Sequence, residues 1–191
     1  MAKESTFVNM AVCLGAVCLF CSALLGGVYI MTKDAIDQAA LDKTNNAIAL
    51  VTPEFDNVPS NDIMKVAVDG DSVKVYPAMK GGEIVGYAIE TSTSKGFSGT
   101  IKLMVGFDTE GNIVNTSVIS HSETPGLGAK MTEPAFSDQF RGKNPADFKL
   151  QVKKNGGDVD AITASTITSV AFCDAVEKAY RVFGQINGNS K

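Results

Sequence analysis

Apolar positions along this chain follow three regimes. Residues 10–31 are apolar or small without a single charge, with Lys3 and Glu4 before them and Lys33 and Asp34 after. That is long enough for a helix across the hydrocarbon core, which takes about 20 residues. A cleaved signal peptide carries a shorter apolar region, roughly 7–15 residues, so an uncleaved anchor is the better reading. Residues 32–51 then place Ile36, Ala39, Ala40, Ala47 and Ile48 among polar positions. The anchor helix is expected to continue outward as an amphipathic stalk until Pro53 and Pro59 stop it. From Val66 the period changes to two: residues 72–78, 83–92, 100–107 and 112–120 alternate, separated by Asp69-Gly70, Lys80-Gly81-Gly82, Lys95-Gly96 and Glu110-Gly111. Alternation punctuated by such turn signals predicts an antiparallel meander.

Residues 133–140 predict a short helix with Pro134 at its first turn and Phe136 and Phe140 on one face. Residues 148–153 read as a further strand and Gly156-Gly157 as a turn. Near the end Phe172, Cys173, Val176, Ala179, Tyr180 and Phe183 recur with helical spacing. The sum is an α+β fold: one N-terminal transmembrane helix, then a single domain with a twisted antiparallel sheet and two or three covering helices. The expected divisions are a tail at 1–9, the membrane helix at 10–31, stalk and linker at 32–62, the folded domain at 63–187 and a tail at 188–191.

Composition narrows the function classes. A net charge of −4, with no cluster of Lys and Arg, argues against nucleic acid. Three of the four cysteines, Cys13, Cys18 and Cys21, lie inside the apolar run and leave Cys173 alone in the remainder. A disulfide framework is thereby excluded for the domain, and the three read as small apolar packing residues. The preceding Val12, Val17 and Phe20 do not suit lipoprotein processing. With His121 as the one histidine, no self-contained zinc or haem site is expected, and no metal ligands are assigned. Lys3 and Lys33 nearly balance, so charge does not orient the anchor.

The chemistry concentrates in Asp160-Ala161-Ile162-Thr163-Ala164-Ser165-Thr166-Ile167-Thr168-Ser169, where half the residues bear hydroxyls on the approach to the C-terminal helix. Ser and Thr there can cap the helix. They can also accompany a phosphate, because the first turn leaves N–H groups unpaired and carries partial positive charge. The order of residues resembles the flavin-attachment motif Asp-x-x-Ser/Thr-Gly-Ala-Thr, in which FMN is joined through its phosphate to a threonine. On that match Thr166 is the attachment residue, Thr163 fills the Ser/Thr position and Asp160 is the leading acid. Ala164 stands where the family usually has Gly, and carries a steric cost if that position needs φ > 0. Ser165 stands in place of Ala and offers a second hydroxyl next to the attachment residue.

A second stretch, His121-Ser122-Glu123-Thr124-Pro125-Gly126-Leu127-Gly128-Ala129-Lys130, resembles the Glu-Thr-Pro-Gly-Leu-Gly loop of the same FMN-binding domain. As a nucleotide fingerprint Gly126-x-Gly128 alone is weak, and by itself it reads as a turn. The two stretches in this order, behind one N-terminal anchor, resemble the G subunits of Rnf electron-transport complexes. The C subunits of sodium-pumping NADH:quinone reductases share both motifs and are the alternative within the family. A membrane-anchored binding module without redox chemistry is the alternative outside it.

The resemblance implies covalent FMN on Thr166, attached by a separate flavin transferase that uses FAD and magnesium. It further implies partner subunits in a complex coupling ferredoxin:NAD oxidoreduction to movement of sodium ions or protons. It places the flavin domain on the outer face of the cytoplasmic membrane, with the lipid bilayer around the anchor. The phosphate is expected near Thr166, Thr168 and Ser169, and the ring against Thr124, Pro125, Gly126, Leu127 and Gly128. Glu123 reads either as a ring-facing acid or as an exposed loop carboxylate. Lys130 adds charge to the site or stays solvated. Tyr76, Tyr87 and Phe97 can stack on a flavin or pack the core, and His121 reads as structural. One tethered flavin, without iron–sulfur cysteines or a nicotinamide fingerprint, implies a relay in a larger assembly.

Overall fold

The computed structural model describes residues 6–68 and 70–189, so the Asp69 half of the expected Asp69-Gly70 turn lies outside the described residues. The chain divides into two units, Met1–Asp42 and Lys43–Lys191. Helix α1 (Phe7–Val51) supplies the described part of the first unit and enters the second. It is long and apolar enough to cross a membrane. Within the first unit its side chains are exposed throughout, from Phe7 to Leu41, the condition of a helix whose apolar surface has no partner in its own fold.

The second unit is built on five antiparallel strands: β1 (Met64–Val68), β2 (Asp71–Lys80), β3 (Glu83–Thr93), β4 (Ile101–Asp108) and β5 (Ile113–Ser120). They lie in sequence order, so every strand pairs with its chain neighbour. Four of them follow the alternation in the sequence, and β1 adds a short fifth at the edge. The β2–β3 connection shows how the turns work: Lys80 pairs with Glu83, and Gly81 and Gly82 between them have φ of 62° and 88°. Two positive-φ residues in a two-residue hairpin match the right-handed twist of the strands, which is why glycines occupy both positions.

Each face of the sheet buries its own cluster. On one face Val75, Ile89, Leu103, Val105 and Phe107 pack under α3 (Thr166–Asn189), which presents Phe172, Val176, Ala179 and Phe183. Phe183 stacks on Phe107 at 5.3 Å and meets Tyr87 edge-on at 6.0 Å between centroids. Burying Phe107 and Phe172 completely contributes roughly 1.5–3 kcal/mol each. Lys178 pairs with Asp71 of β2 and Lys95 of the β3–β4 turn pairs with Asp174, both at 2.5 Å, so α3 is tied to the sheet and to that turn. Cys173 lies in this interface, and burial pushes its thiol up to about 12.

On the other face the last two turns of α1, through Ala47, Ile48 and Val51, cover Tyr76, Ala88 and Met104. Gly106 of β4 makes that approach possible, since any side chain there would run into the Val51 carbonyl. Tyr76 donates to Glu90 Oε2 at 2.8 Å, and burial followed by that carboxylate raises its phenol.

The helix expected at 133–140 divides into α2 (Pro134–Ser137) and a 3-10 turn, Asp138–Phe140. Phe136 and Phe140 share a face as expected, 5.6 Å apart, and both rings rest on Phe172. The strand expected at 148–153 does not form; Val152 makes a single parallel bridge to Val159. Backbone groups of that segment are spent on the returning chain instead. Lys153 N–H donates to Val159 O, Val159 N–H to Gln151 O and Asp158 N–H to Lys149 O.

Candidate functional site

Three segments of the second unit converge on one pocket: the β3–β4 turn around Phe97, the loop at 121–128, and the first turn of α3. Each is shaped by local chemistry. At the helix start, Ser165 N–H closes a turn onto Ile162 O at 3.0 Å, and the residue inside that turn, Ala164, has φ of +60°. It is the one non-glycine residue with positive φ among the described residues. The steric cost anticipated for Ala at this position is therefore present.

Ser169 locks the turn from within the helix. Its Oγ donates to Ser165 O at 3.0 Å and accepts Ile162 N–H at 2.9 Å, while Ser169 N–H also reaches Ser165 O. Thr168 Oγ1 donates to Glu123 Oε2 at 2.9 Å. Both residues are buried, Thr168 at 1% and Ser169 at 0% exposure. By contrast, among the described residues the hydroxyls of Thr163, Ser165 and Thr166 have no hydrogen-bond partner. Ser165 precedes the helix, yet its Oγ accepts no first-turn N–H among the described residues, so simple capping does not account for the hydroxyls of this stretch.

In the second loop, Thr124 O accepts N–H bonds from Leu127 and Ala129, each at 3.2 Å. Gly126 takes φ of +77° at the tip. Glu123 N–H donates to His121 Nδ1 at 3.1 Å, which gives the chain's one histidine a structural bond. The Glu123 carboxylate is buried rather than exposed: Oε1 accepts Ser98 N–H at 3.0 Å and Oε2 accepts Thr168.

The pocket enclosed by these segments measures about 360 Å³, within the range of small-molecule sites, ~300–1,000 Å³. Its walls are Phe97, Glu123, Thr124, Leu127 and Gly128 on one side and residues 164–168 on the other. Phe97, Leu127 and Ile167 line it although they are 71%, 43% and 55% exposed. Exposed apolar side chains gathered at one cavity are what a planar apolar ligand needs. No Lys or Arg is among its lining residues, so an anionic group there would rely on the first-turn N–H groups of α3. A flat ring system joined to a phosphate fits this division, with apolar side chains at the mouth and hydroxyls and a helix start at the other wall.

Not every sequence candidate reaches the pocket. Glu123, Thr124, Leu127, Gly128, Ala164, Ser165, Thr166 and Thr168 line it. Asp160 instead pairs with Lys153 at 2.7 Å, and its backbone is held by Gln139. Thr163 and Lys130 are exposed, Pro125 and Gly126 form the outer tip of their loop, and Ser169 works beneath the surface. Tyr76 and Tyr87 are core residues, whereas Phe97 is not. Of the three aromatics read from the sequence as flavin-stacking or core residues, Phe97 is the one that lines the pocket. One lining residue lay outside the sequence-derived candidates, Ile167, an isoleucine inside a hydroxyl run that gave no signal.

Comparison with known proteins agrees with this picture. Residues 96–181 match the FMN-binding domain family. A Haemophilus influenzae protein, named as the G subunit of an ion-translocating oxidoreductase complex, is 34% identical over 178 residues, covering 87% of this chain and 84% of that one. An Acetobacterium woodii protein, named as the G subunit of a Na(+)-translocating ferredoxin:NAD(+) oxidoreductase complex, is 32% identical over 144 residues, 70% of this chain and 69% of the relative. Among solved structures, the C subunit of a Na(+)-translocating NADH-quinone reductase from Parabacteroides distasonis superposes with a TM-score of 0.53 at 21% identity, covering 81% of this chain and 96% of the other. That likeness concerns the fold; identity and coverage together show that this membrane-anchored chain belongs to the family of G subunits of ion-translocating oxidoreductase complexes of the Rnf type.

Proposed function

We propose that the chain is the FMN-carrying electron-transfer subunit of an Rnf-type complex, with the nucleotide joined through its phosphate to Thr166 Oγ1. The observation that carries this reading is the division of labour among the hydroxyls. Thr168 and Ser169 are bound into the fold, while Thr166 holds a free hydroxyl at the pocket wall in the first turn of α3. A bound flavin supplies one- and two-electron transfer. The chain itself supplies position: the N–H groups of the first turn stabilise the phosphate, and Phe97, Leu127 and Ile167 flank the ring and limit water around it.

Attachment is a maturation step. Thr166 Oγ1 forms the bond to the FMN-side phosphorus of FAD and gives up its proton, the bond to the second phosphate breaks, and AMP leaves. A separate transferase with magnesium carries this out. A tether suits a domain on the outer face of the cytoplasmic membrane, where a released cofactor would be diluted without limit, whereas an attached one keeps a high effective concentration. In that arrangement residues 10–31 cross the bilayer and dock on partner subunits that pass electrons between ferredoxin and NAD and move sodium ions or protons. Assignment to the NADH:quinone reductase finds support in the fold likeness alone.

Peptide mass spectrometry across residues 158–178, on full-length chain co-expressed with the transferase, tests the proposal. The expected result is one FMN-phosphoryl adduct on Thr166, absent in Thr166→Ala. An adduct on Ser165 moves the bond by one residue. A fully denatured band without flavin fluorescence, from cells containing the transferase, leaves only a binding module.

A further inference from the structure

Glu123 is 6% exposed, and among the described residues no cation pairs with its carboxylate. A buried charge held by neutral donors alone is expensive, and the chain surrounds this one closely. A Cβ at Gly96 would lie 2.8 Å from Oε1, and a Cβ at Gly128 would lie 2.5 Å from Oε2 and 2.7 Å from Thr168 Oγ1. Two glycines therefore keep room for the carboxylate, one from each loop that walls the pocket.

Its two hydrogen bonds span the site. Ser98 N–H, 25 residues earlier in sequence, donates to Oε1, and Thr168 Oγ1, 45 residues later, donates to Oε2. Ser98 follows Phe97 directly, and Thr168 is two residues beyond Thr166. One side chain thus couples the aromatic loop, its own loop and the first turn of α3. The start of the same turn is held to α3 separately, by Lys95 Nζ to Asp174 Oδ1 at 2.5 Å and Thr93 Oγ1 to Asp174 Oδ2 at 3.0 Å, whereas within 96–99 the Glu123 carboxylate is the one side-chain partner among the described residues.

We propose that Glu123 is a positioning residue for the nucleotide, a latch that holds the Phe97 loop against the first turn of α3 and so fixes the width of the ring-binding slot. Its carboxylate is spent on the two walls and does not act on the ring directly. This rests on the reading of the pocket as a flavin site. Glu123→Ala removes both bonds and lets the Phe97 loop move away from α3. Glu123→Gln retains them, because Oε1 still accepts Ser98 N–H while Nε2 donates to Thr168 Oγ1 after rotation of that hydroxyl.

The test uses the full-length chain, matured by the transferase and purified in detergent, as wild type, Glu123→Ala and Glu123→Gln. Amide hydrogen exchange of residues 96–99 and the visible circular dichroism of the flavin are read together. In Glu123→Ala, Ser98 exchange is expected to rise roughly tenfold or more, the flavin band to lose amplitude, and amides of β3 and β4 to stay unchanged. Glu123→Gln is expected to restore both signals. The latch is overturned if Ser98 exchange does not move in Glu123→Ala, if the increase spreads through the sheet, or if Glu123→Gln fails to restore the band. Absence of flavin from the wild type would count against the function proposed above, and the exchange data would still decide the latch.

Discussion

Thr168 and Ser169 stand beside Thr163, Ser165 and Thr166 in one run of hydroxyl side chains, yet the two groups do opposite things. The first pair is buried, and each hydroxyl is committed: one to the Glu123 carboxylate, the other to both ends of the turn at 162–165. The second group makes no hydrogen bond through its hydroxyls among the described residues, although Ser165 is itself 8% exposed, and two of the three residues line the pocket. Buried hydroxyls without partners are costly, whereas a group that must react has to remain uncommitted. The committed pair builds a rigid socket, and the uncommitted residues are what the socket displays.

This contrast fails or holds under substitution, and the largest effect is expected where the socket is tightest. Gly128→Ala puts a methyl 2.5 Å from Glu123 Oε2 and 2.7 Å from Thr168 Oγ1. Overpacking of this kind is expected to cost about 3 kcal/mol, read as a lowered thermal midpoint of the full chain in detergent. Gly126→Ala, two residues away, meets nothing within 4 Å and is strained only by its φ of +77°, so it is expected to cost about 1 kcal/mol. Equal losses at the two glycines would remove the case for a close-packed floor.

A middle-sized effect separates the hydroxyls themselves. Ser169→Ala leaves the buried Ile162 N–H without its acceptor, at an expected cost of about 2 kcal/mol. Thr166→Ala breaks no hydrogen bond, so its stability should stay within about 0.5 kcal/mol of wild type, although it removes the flavin adduct. The two variants should thus exchange places between a melting curve and a fluorescence gel. A stable Ser169→Ala with a collapsed Thr166→Ala would invert the roles assigned here.

What the sequence disclosed and what it hid have separate physical causes. Strands β2 to β5 and the buried face of α3 followed from periods of two and 3.6 because burial on one face dictates them. The two motif stretches were also visible, but as separate places. Only the fold brings Thr168 to Glu123 across 45 residues, and no local pattern encodes that contact. Burial of Glu123 was equally hidden, since a loop carboxylate is ordinarily solvated. Phe97 lies between two alternating runs and read either as a core aromatic or as one that stacks on a flavin, and only the fold of the β3–β4 turn shows it 71% exposed at the pocket. The segment 148–153 had strand composition, and lost that structure to hydrogen bonds with its own continuation at 157–159.

The smallest effect concerns the hinge between the two groups of hydroxyls. Ala164 holds φ of +60°, and its neighbours Ile162 and Ser165 fix it there through the Ser165 N–H to Ile162 O bond. An L-residue in that region costs roughly 1–2 kcal/mol, and glycine avoids the penalty while losing roughly 0.5–1 kcal/mol through its freer unfolded chain. Ala164→Gly should therefore raise stability by about 0.5–1 kcal/mol, seen as a small upward shift of the thermal midpoint. The flavin adduct should remain on Thr166, because the turn geometry is kept and only its strain is relieved. If Ala164→Gly instead lowers the midpoint, the positive φ is not strained in this setting, and the departure from the family's glycine carries no cost.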